Sequence, residues 1–83
     1  MGMPIPLYGF LEGDTIGLLV LAEEGETILA LARKLQDAAS IRVSHREQIN
    51  FVYGGKVIEP EITLAQAGLQ AFDRFDVVWS QKV

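Results

Sequence analysis

The sequence predicts an α+β domain in which one helix packs against a mixed β-sheet of four to five strands. Two apolar runs on either side of Glu12-Gly13-Asp14 have the spacing of a β-hairpin. The apolar period then changes to that of an amphipathic helix across residues 27–39, and short apolar runs return after residue 48. No long linker, low-complexity segment or long repeat interrupts these elements, so we expect residues 1–83 to form a single domain.

The first two strands are predicted at residues 5–11 and 15–22. Pro4 and Pro6 place the first of them at a sheet edge or at the beginning of a strand, because proline has no N–H to donate. Gly13 adopts positive φ at little cost, and the aspartate after it favours a turn. The two runs therefore indicate a hairpin.

The helix is predicted to begin after Thr27, whose hydroxyl is suited to accept a hydrogen bond from a free N–H of the first turn. Three glutamates precede it, and Arg33 and Lys34 lie in its later half, which is the favourable arrangement for a helix dipole. The apolar positions recur at a spacing of three to four residues: Ile28, Leu31, Ala32, Leu35, Ala38 and Ala39.

Shorter elements follow the helix. Residues 41–48 are mixed and polar, which indicates a loop. Short strands are predicted at residues 49–53 and 56–58, with the Gly54-Gly55 pair as the tight turn between them. One helical turn is predicted at residues 63–68, and the last strand at residues 72–80.

Composition excludes several classes of function. The chain has eleven acidic and seven basic residues, with a formal net charge of -4, which argues against nucleic acid or an anionic membrane as the main partner. It has no cysteine, so neither a disulfide nor a thiolate metal site is available. The longest apolar run is far shorter than the ~20 residues of a membrane span. We expect a cytoplasmic protein.

Candidate catalytic or metal-binding groups are sparse. His45 is the only histidine and has no cysteine beside it to form a zinc site, so we interpret it as a loop residue. Glu12 and Asp14 flank a turn and are expected to be solvated. Glu23, Glu24 and Glu26 are explained by the helix dipole and by solubility. We therefore predict no catalytic residue, cofactor, metal or small-molecule substrate for this chain.

The second strand is apolar on both of its faces. If Leu18, Val20 and Ala22 face the helix, their neighbours Leu19 and Leu21 face outward, since successive side chains of a strand alternate. The same alternation sends four further side chains outward, and neighbouring strands would merge all six into one patch, which we predict to be a partner-binding surface. The six predicted contact residues are Tyr8, Phe10, Leu19, Leu21, Val52 and Val78.

Other interpretations of this surface stay open. Loops or the N-terminal segment would remove the patch by covering it, and so would a register shift of one residue. Trp79, near the end of the last strand, is either an anchor at the rim of an interface or a plug for the core. The charged flank, which either orients a partner or is simply solvated, consists of Arg33, Lys34, Asp37, Arg42 and Arg46.

Two stretches resemble ubiquitin. One is Glu26-Thr27-Ile28 at the start of the helix. The other is Phe51-Val52-Tyr53-Gly54-Gly55-Lys56-Val57-Ile58-Glu59, followed in order by Thr63-Leu64 and Gly68-Leu69. The resemblance implies the β-grasp, or ubiquitin-like, arrangement of the predicted elements.

A set of residues that runs from Pro6, Glu12 and Asp14 to Asp76-Val77-Val78, and so covers nearly the whole chain, is also similar to the small B (gamma) subunits of bacterial toluene-type multicomponent monooxygenases. The family's arginine-rich segment between helix and strand is thinner here, and the family usually carries charged residues in place of Tyr53-Gly54-Gly55. The matching residues are Pro6, Glu12, Asp14, Ala32, Lys34, Arg42-Val43, Arg46-Glu47, Thr63, Ala65, Gly68-Leu69 and Asp76-Val77-Val78.

This second resemblance implies a non-catalytic subunit. In such enzymes a large hydroxylase subunit holds a carboxylate-bridged di-iron centre, and the small subunit packs against it. The expected partner is therefore the large di-iron hydroxylase subunit of a monooxygenase that acts on aromatic hydrocarbons. The alternative is a free-standing ubiquitin-like adaptor or modifier, although the chain ends without a diglycine. A small-molecule-binding β-grasp enzyme is a weaker third option.

Overall fold

A computed structural model describes residues 4–80 and contains a five-stranded mixed sheet with one long helix. The spatial order of the strands is β2-β1-β5-β3-β4. The elements in chain order are β1 (Ile5–Leu11), β2 (Gly17–Ala22), α1 (Ile28–Ala38), β3 (Ile49–Tyr53), β4 (Lys56–Ile58), α2 (Leu64–Ala67) and β5 (Arg74–Trp79). This arrangement confirms the predicted α+β class and the β-grasp order.

The first and last strands form the centre of the sheet. β1 pairs antiparallel with β2, with Tyr8 opposite Leu19, and pairs parallel with β5, with Tyr8 opposite Arg74. β3 pairs antiparallel with β5 and with β4. The edges are therefore β2 and β4, and the prolines at the start of β1 mark the beginning of a central strand.

Two predicted strands start too early. β2 begins at Gly17 because the preceding residues form a bend, in which the Asp14 carboxylate accepts a hydrogen bond from the Thr15 N–H at 2.8 Å. β5 begins at Arg74 because Phe72 has a φ of 68°, a left-handed conformation that a strand does not accommodate. Neither turn is marked by a glycine at the position where the strand is interrupted.

Helix α1 is capped at the predicted residue. The Thr27 side chain accepts a hydrogen bond from the Ala30 N–H, and the helix ends at Ala38. The charges of the dipole interpretation lie outside the end turns, since the first turn has no acidic residue and the last turn no basic one. Glu26 instead forms an ion pair with Lys34 at 2.8 Å. In α1, the only buried polar residue is Gln36, and Ala38 is exposed.

The core lies between α1 and the inner face of the sheet. Phe51 and Phe75 stack with their ring centroids 4.7 Å apart, beneath the leucines of the helix. The fully or nearly fully buried hydrophobic residues are Leu7, Leu11, Val20, Ala22, Ile28, Leu31, Ala32, Leu35, Ala39, Phe51, Leu64, Leu69, Phe75 and Val77. The inward residues of every long strand are thus those that the alternation predicts.

The loop at residues 40–48 is held to the helix by a buried amide. The Gln36 side chain donates to the Arg46 carbonyl oxygen at 2.9 Å and accepts from the Arg46 N–H at 2.8 Å. The Arg46 guanidinium in turn lies 4.8 Å from the centroid of the Trp79 ring, which packs against the core. This packing favours the interpretation of Trp79 as a plug for the core over that of an anchor at the rim of an interface.

Gly9 allows α1 to approach the sheet closely. A Cβ atom at this buried position would lie 2.7 Å from Cζ of Phe75 and 2.9 Å from Cδ1 of Leu35. We expect Gly9→Ala to destabilise the fold by about 1–3 kcal/mol, because overpacking forces these side chains to shift. Urea unfolding followed by circular dichroism measures the change.

Gly25→Ala is the matched control. A Cβ atom at Gly25 has no neighbour within 4 Å. We expect its free energy of unfolding to stay within ~0.5 kcal/mol of the wild-type value. Equal stability of the two variants would contradict the close contact at Gly9.

Candidate interaction surface

The outer face of the sheet, opposite α1, carries the leucines of β2. The side chains of Leu19 and Leu21 are 57% and 56% exposed. The alternate residues of the same strand, Val20 and Ala22, are buried. The predicted orientation of this strand is therefore confirmed. Within residues 4–80 neither a loop nor a change of register covers the two leucines.

An aromatic residue that the sequence analysis missed extends this surface. Phe72 is 63% exposed, and its ring lies 6.2 Å from that of Tyr8 in a tilted arrangement. Tyr8 in turn stands opposite Leu19 on the neighbouring strand. We call these exposed residues, together with Phe10, the outer patch: Tyr8, Phe10, Leu19, Leu21 and Phe72. Phe72 escaped detection because its non-glycine turn resembles a strand in the sequence.

Phe10 packs between Gly17 and Arg74. Its ring covers Gly17, where a Cβ atom would lie 2.5 Å from the ring carbons. On the other side, the guanidinium of Arg74 lies 4.1 Å from the ring centroid. A cation over an aromatic face is attracted to it, so Phe10 is partly buried and forms the border of the patch.

The predicted single patch of six residues is wrong at β5. This strand lies between β1 and β3, and its outward residues include Arg74 and Asp76, which form an ion pair at 3.0 Å. The pair raises the pKa of the arginine through a hydrogen bond from its guanidinium to the carboxylate. A charged strip therefore separates the outer patch from Val52 on β3.

Val52 lies beyond this strip on β3, and Val78 follows Asp76 along β5. Val52 stands opposite Asp76 on one side and opposite Val57 on β4, which is 63% exposed. Val78 stands opposite Asn50 and is half-buried. These two predicted contact residues face outward as expected, but neither lies on a strand that neighbours β2.

The acidic residues near the first turn have structural partners. Asp14 accepts two hydrogen bonds from the Arg42 guanidinium, each at 2.9 Å, and its side chain is only 1% exposed. The hydrogen bond from Arg42 lowers the pKa of the Asp14 carboxyl. Glu12 accepts a hydrogen bond from the backbone N–H of Trp79 at 2.7 Å. Both carboxylates therefore tie the hairpin turn to other segments.

Two further titratable candidates, Glu26 and His45, are also paired. The pKa of Glu26 is lowered, since hydrogen bonds from Lys34 and from a backbone N–H outweigh the effect of partial burial, which acts in the opposite direction. His45 lies 2.9 Å from Asp37, and both side chains are largely exposed. Among residues 4–80, no three potential metal ligands come together.

An apolar groove runs between α1 and the β3–β4 side of the sheet. It has a volume of about 320 Å³ and is lined mainly by aliphatic side chains, including Ile28, Leu29 and Val57, with Glu47 and Glu59 also lining it. The sequence analysis did not find this groove, because its two walls are separated by about twenty residues.

The fold is that of a ubiquitin-like protein. The chain resembles a ubiquitin of Caldiarchaeum subterraneum with a TM-score of 0.79 and 15% identity, covering 96% of this chain and 98% of that one. A de novo design based on ubiquitin gives a TM-score of 0.80 and 19% identity, with 96% and 93% covered. No curated protein sequence matches significantly.

The family is more specific than the fold. The model of toluene-4-monooxygenase system protein B (TmoB) matches residues 4–79, and the chain belongs to this family. A chain of the structure described as the toluene 4-monooxygenase HD complex with the inhibitor 4-bromobenzoate is similar, with a TM-score of 0.85 and 22% identity. The match covers 94% of this chain and all of that one. The resemblance to monooxygenase B subunits is thus confirmed.

Among residues 4–80, the structure contains no helix long and apolar enough to cross a membrane.

The Asp14–Arg42 ion pair predicts a pH dependence of stability. Because the folded-state pKa of Asp14 is lowered, the pair stabilises the fold above the unfolded-state pKa of about 3.9. That contribution is lost as the pH falls through the lower, folded-state pKa. We expect Asp14→Asn to flatten the fall in thermal stability between about pH 5 and pH 2. Thermal unfolding across this range measures the slope.

Arg42→Gln provides the matched comparison. It leaves the carboxylate in place but removes the group that lowers its pKa, so we expect the same flattening. A slope equal to that of the wild type would show that Arg42 is not its cause.

Proposed function

We propose that this chain is a non-catalytic accessory subunit of a bacterial di-iron monooxygenase hydroxylase that acts on aromatic hydrocarbons. In this proposal it docks on the large di-iron subunit through the outer patch, and the complex works in the cytoplasm. The observation that carries the proposal is an exposed apolar surface on a member of the protein B family.

The outer patch favours protein binding over solvent exposure. Leu19, Leu21 and Phe72 are each more than half exposed, and Tyr8 is 43% exposed in contact with Phe72. Contiguous apolar surface of this kind is typical of interfaces, and aromatic residues are enriched at their centres. The charged strip of Arg74 and Asp76 would form a polar rim along one side of the contact.

A non-catalytic role agrees with the contacts of the titratable groups. Each of three carboxylates accepts a hydrogen bond: Asp14 from Arg42, Glu12 from the backbone N–H of Trp79, and Glu26 from Lys34. These contacts hold the hairpin turn and the helix start in place, so the carboxylates are used for the fold. The substrate pocket and the di-iron centre are assigned to the large subunit in this proposal.

The family match favours this function over a free-standing ubiquitin-like adaptor. The similar ubiquitin and the ubiquitin-based design share the fold at 15% and 19% identity, whereas the protein B family model covers residues 4–79. The likeness to a chain of the toluene 4-monooxygenase HD complex supports the same assignment.

The double variant Leu19→Thr/Leu21→Thr tests the docking surface. Threonine suits a β-strand, so we expect the fold to persist. We expect affinity for the large subunit to fall by roughly 30-fold or more, since each leucine loses a large part of the ~1.5–3 kcal/mol available from burial. Titration calorimetry with the large subunit measures the change, and co-purification tests assembly.

Ile41→Thr is the control for this experiment. Ile41 is 93% exposed and lies in the loop after α1, outside the sheet, so its replacement removes similar apolar area without touching the patch. Val52→Thr tests the far side of the charged strip, where we expect a smaller loss. The proposal is wrong if the wild-type chain does not associate with its large subunit, or if the double variant binds as tightly as Ile41→Thr.

A further inference from the structure

We propose that the free edge of β2 takes up an extended segment of the large hydroxylase subunit, which adds a sixth strand to the sheet. The inference rests on the proposed function and specifies how the contact is made. It depends on the direction of the backbone groups of β2, on the contrast between the two sheet edges, and on the charges beside this edge.

The pairing of β1 determines which backbone groups of β2 are free. The Tyr8 N–H donates to the Asp73 carbonyl oxygen at 2.9 Å, and the Pro6 carbonyl oxygen accepts from the Phe72 N–H. The even-numbered residues of β1 therefore turn their backbone groups toward β5, and the odd-numbered ones toward β2. Leu7 stands opposite Val20, so Val20 bonds to β1 and Leu19 directs its N–H and C=O to the free edge.

One of these edge groups already has a side chain as its partner. The Lys34 ammonium reaches from α1 to the Leu21 carbonyl oxygen at 3.0 Å, while also pairing with Glu26. This contact confirms that the odd-numbered carbonyls of β2 point away from β1. It also shows that the edge accepts a donor at the position where a neighbouring strand would supply an N–H.

The two edges of the sheet differ in their protection. β4 is three residues long and begins with Lys56, and short or charged edge strands discourage pairing with other chains. β2 is six residues long, with the sequence Gly-Leu-Leu-Val-Leu-Ala and neither a charge nor a proline. Such an edge is a template for strand addition, and its leucines lie on the outer patch.

The surroundings of the edge specify the chemistry of the added segment. A groove of about 420 Å³ between β2 and α1 is lined by Leu21, Ala22, Glu23, Glu26 and Lys34, together with Pro4. Glu23 and Glu24, at the end of β2, are exposed and form no ion pair within residues 4–80. The incoming segment is therefore extended, with apolar side chains over the leucines and a basic residue beside the two glutamates.

Amide hydrogen exchange tests the inference in the assembled hydroxylase. In the free chain we expect the N–H groups of Leu19 and Leu21 to exchange quickly, and that of Val20 to be protected by β1. On assembly with the large subunit, exchange at Leu19 and Leu21 should slow by at least ~100-fold, because a new strand accepts these hydrogen bonds. Protection at Val20 should change much less.

A semisynthetic chain with N-methyl-leucine at position 19 separates backbone from side chain. It keeps the leucine but loses the N–H, which has no role in the β1 ladder, so we expect the fold to persist. Its affinity for the large subunit should fall roughly tenfold, comparable to the loss of a hydrogen bond. Leu19→Ala is the matched control, since it keeps the N–H and loses side-chain area.

The outcomes distinguish this inference from the proposed function. A complex that forms while exchange at Leu19 and Leu21 is unchanged would overturn strand addition and leave docking through the face of the sheet. No complex at all would overturn both. Protection that appears in the isolated chain and increases with its concentration would assign the edge to a second copy and overturn the assignment to the large subunit.

Discussion

Strand β2 carries aliphatic side chains on both faces of a sheet that has a helix on only one face. Because side chains alternate along a strand, burial of Val20 and Ala22 against the core forces Leu19 and Leu21 toward solvent. Contrary to the expectation from the sequence, a shift by one residue would not remove the exposed apolar area, because it would only exchange the two sets. The observed register is favoured by the contact of Phe10 with Gly17, which a larger residue would prevent.

The single long helix reinforces this asymmetry. Leu35 and Phe75 approach Gly9 so closely that the inner face has no room for a side chain at this position. Gln36 and Lys34 extend from α1 to the loop after it and to the edge of β2. The inner face at β1 is thus closely packed, and the exposed leucines of β2 lie on the outer face.

Local elements were predictable from the sequence because their signals are local. Thr27 and Thr63 cap their helices, and Gly54 and Gly55 adopt the positive φ that their turn requires. The division of the outer face was not predictable, since it follows from the insertion of β5 between β1 and β3. Phe72 was missed because a left-handed phenylalanine has no sequence signature, and Gln36 because both of its partners are backbone atoms of Arg46.

The central position of β1 and β5 has a mechanical consequence. The two strands are parallel neighbours, and they are also the first and last strands of the described chain. A tension that enters at residue 4 and leaves at residue 80 pulls them in opposite directions along their length, so their hydrogen bonds are loaded together in shear rather than opened one by one. Forced unfolding by pulling on these two ends therefore meets its strongest resistance at the first step.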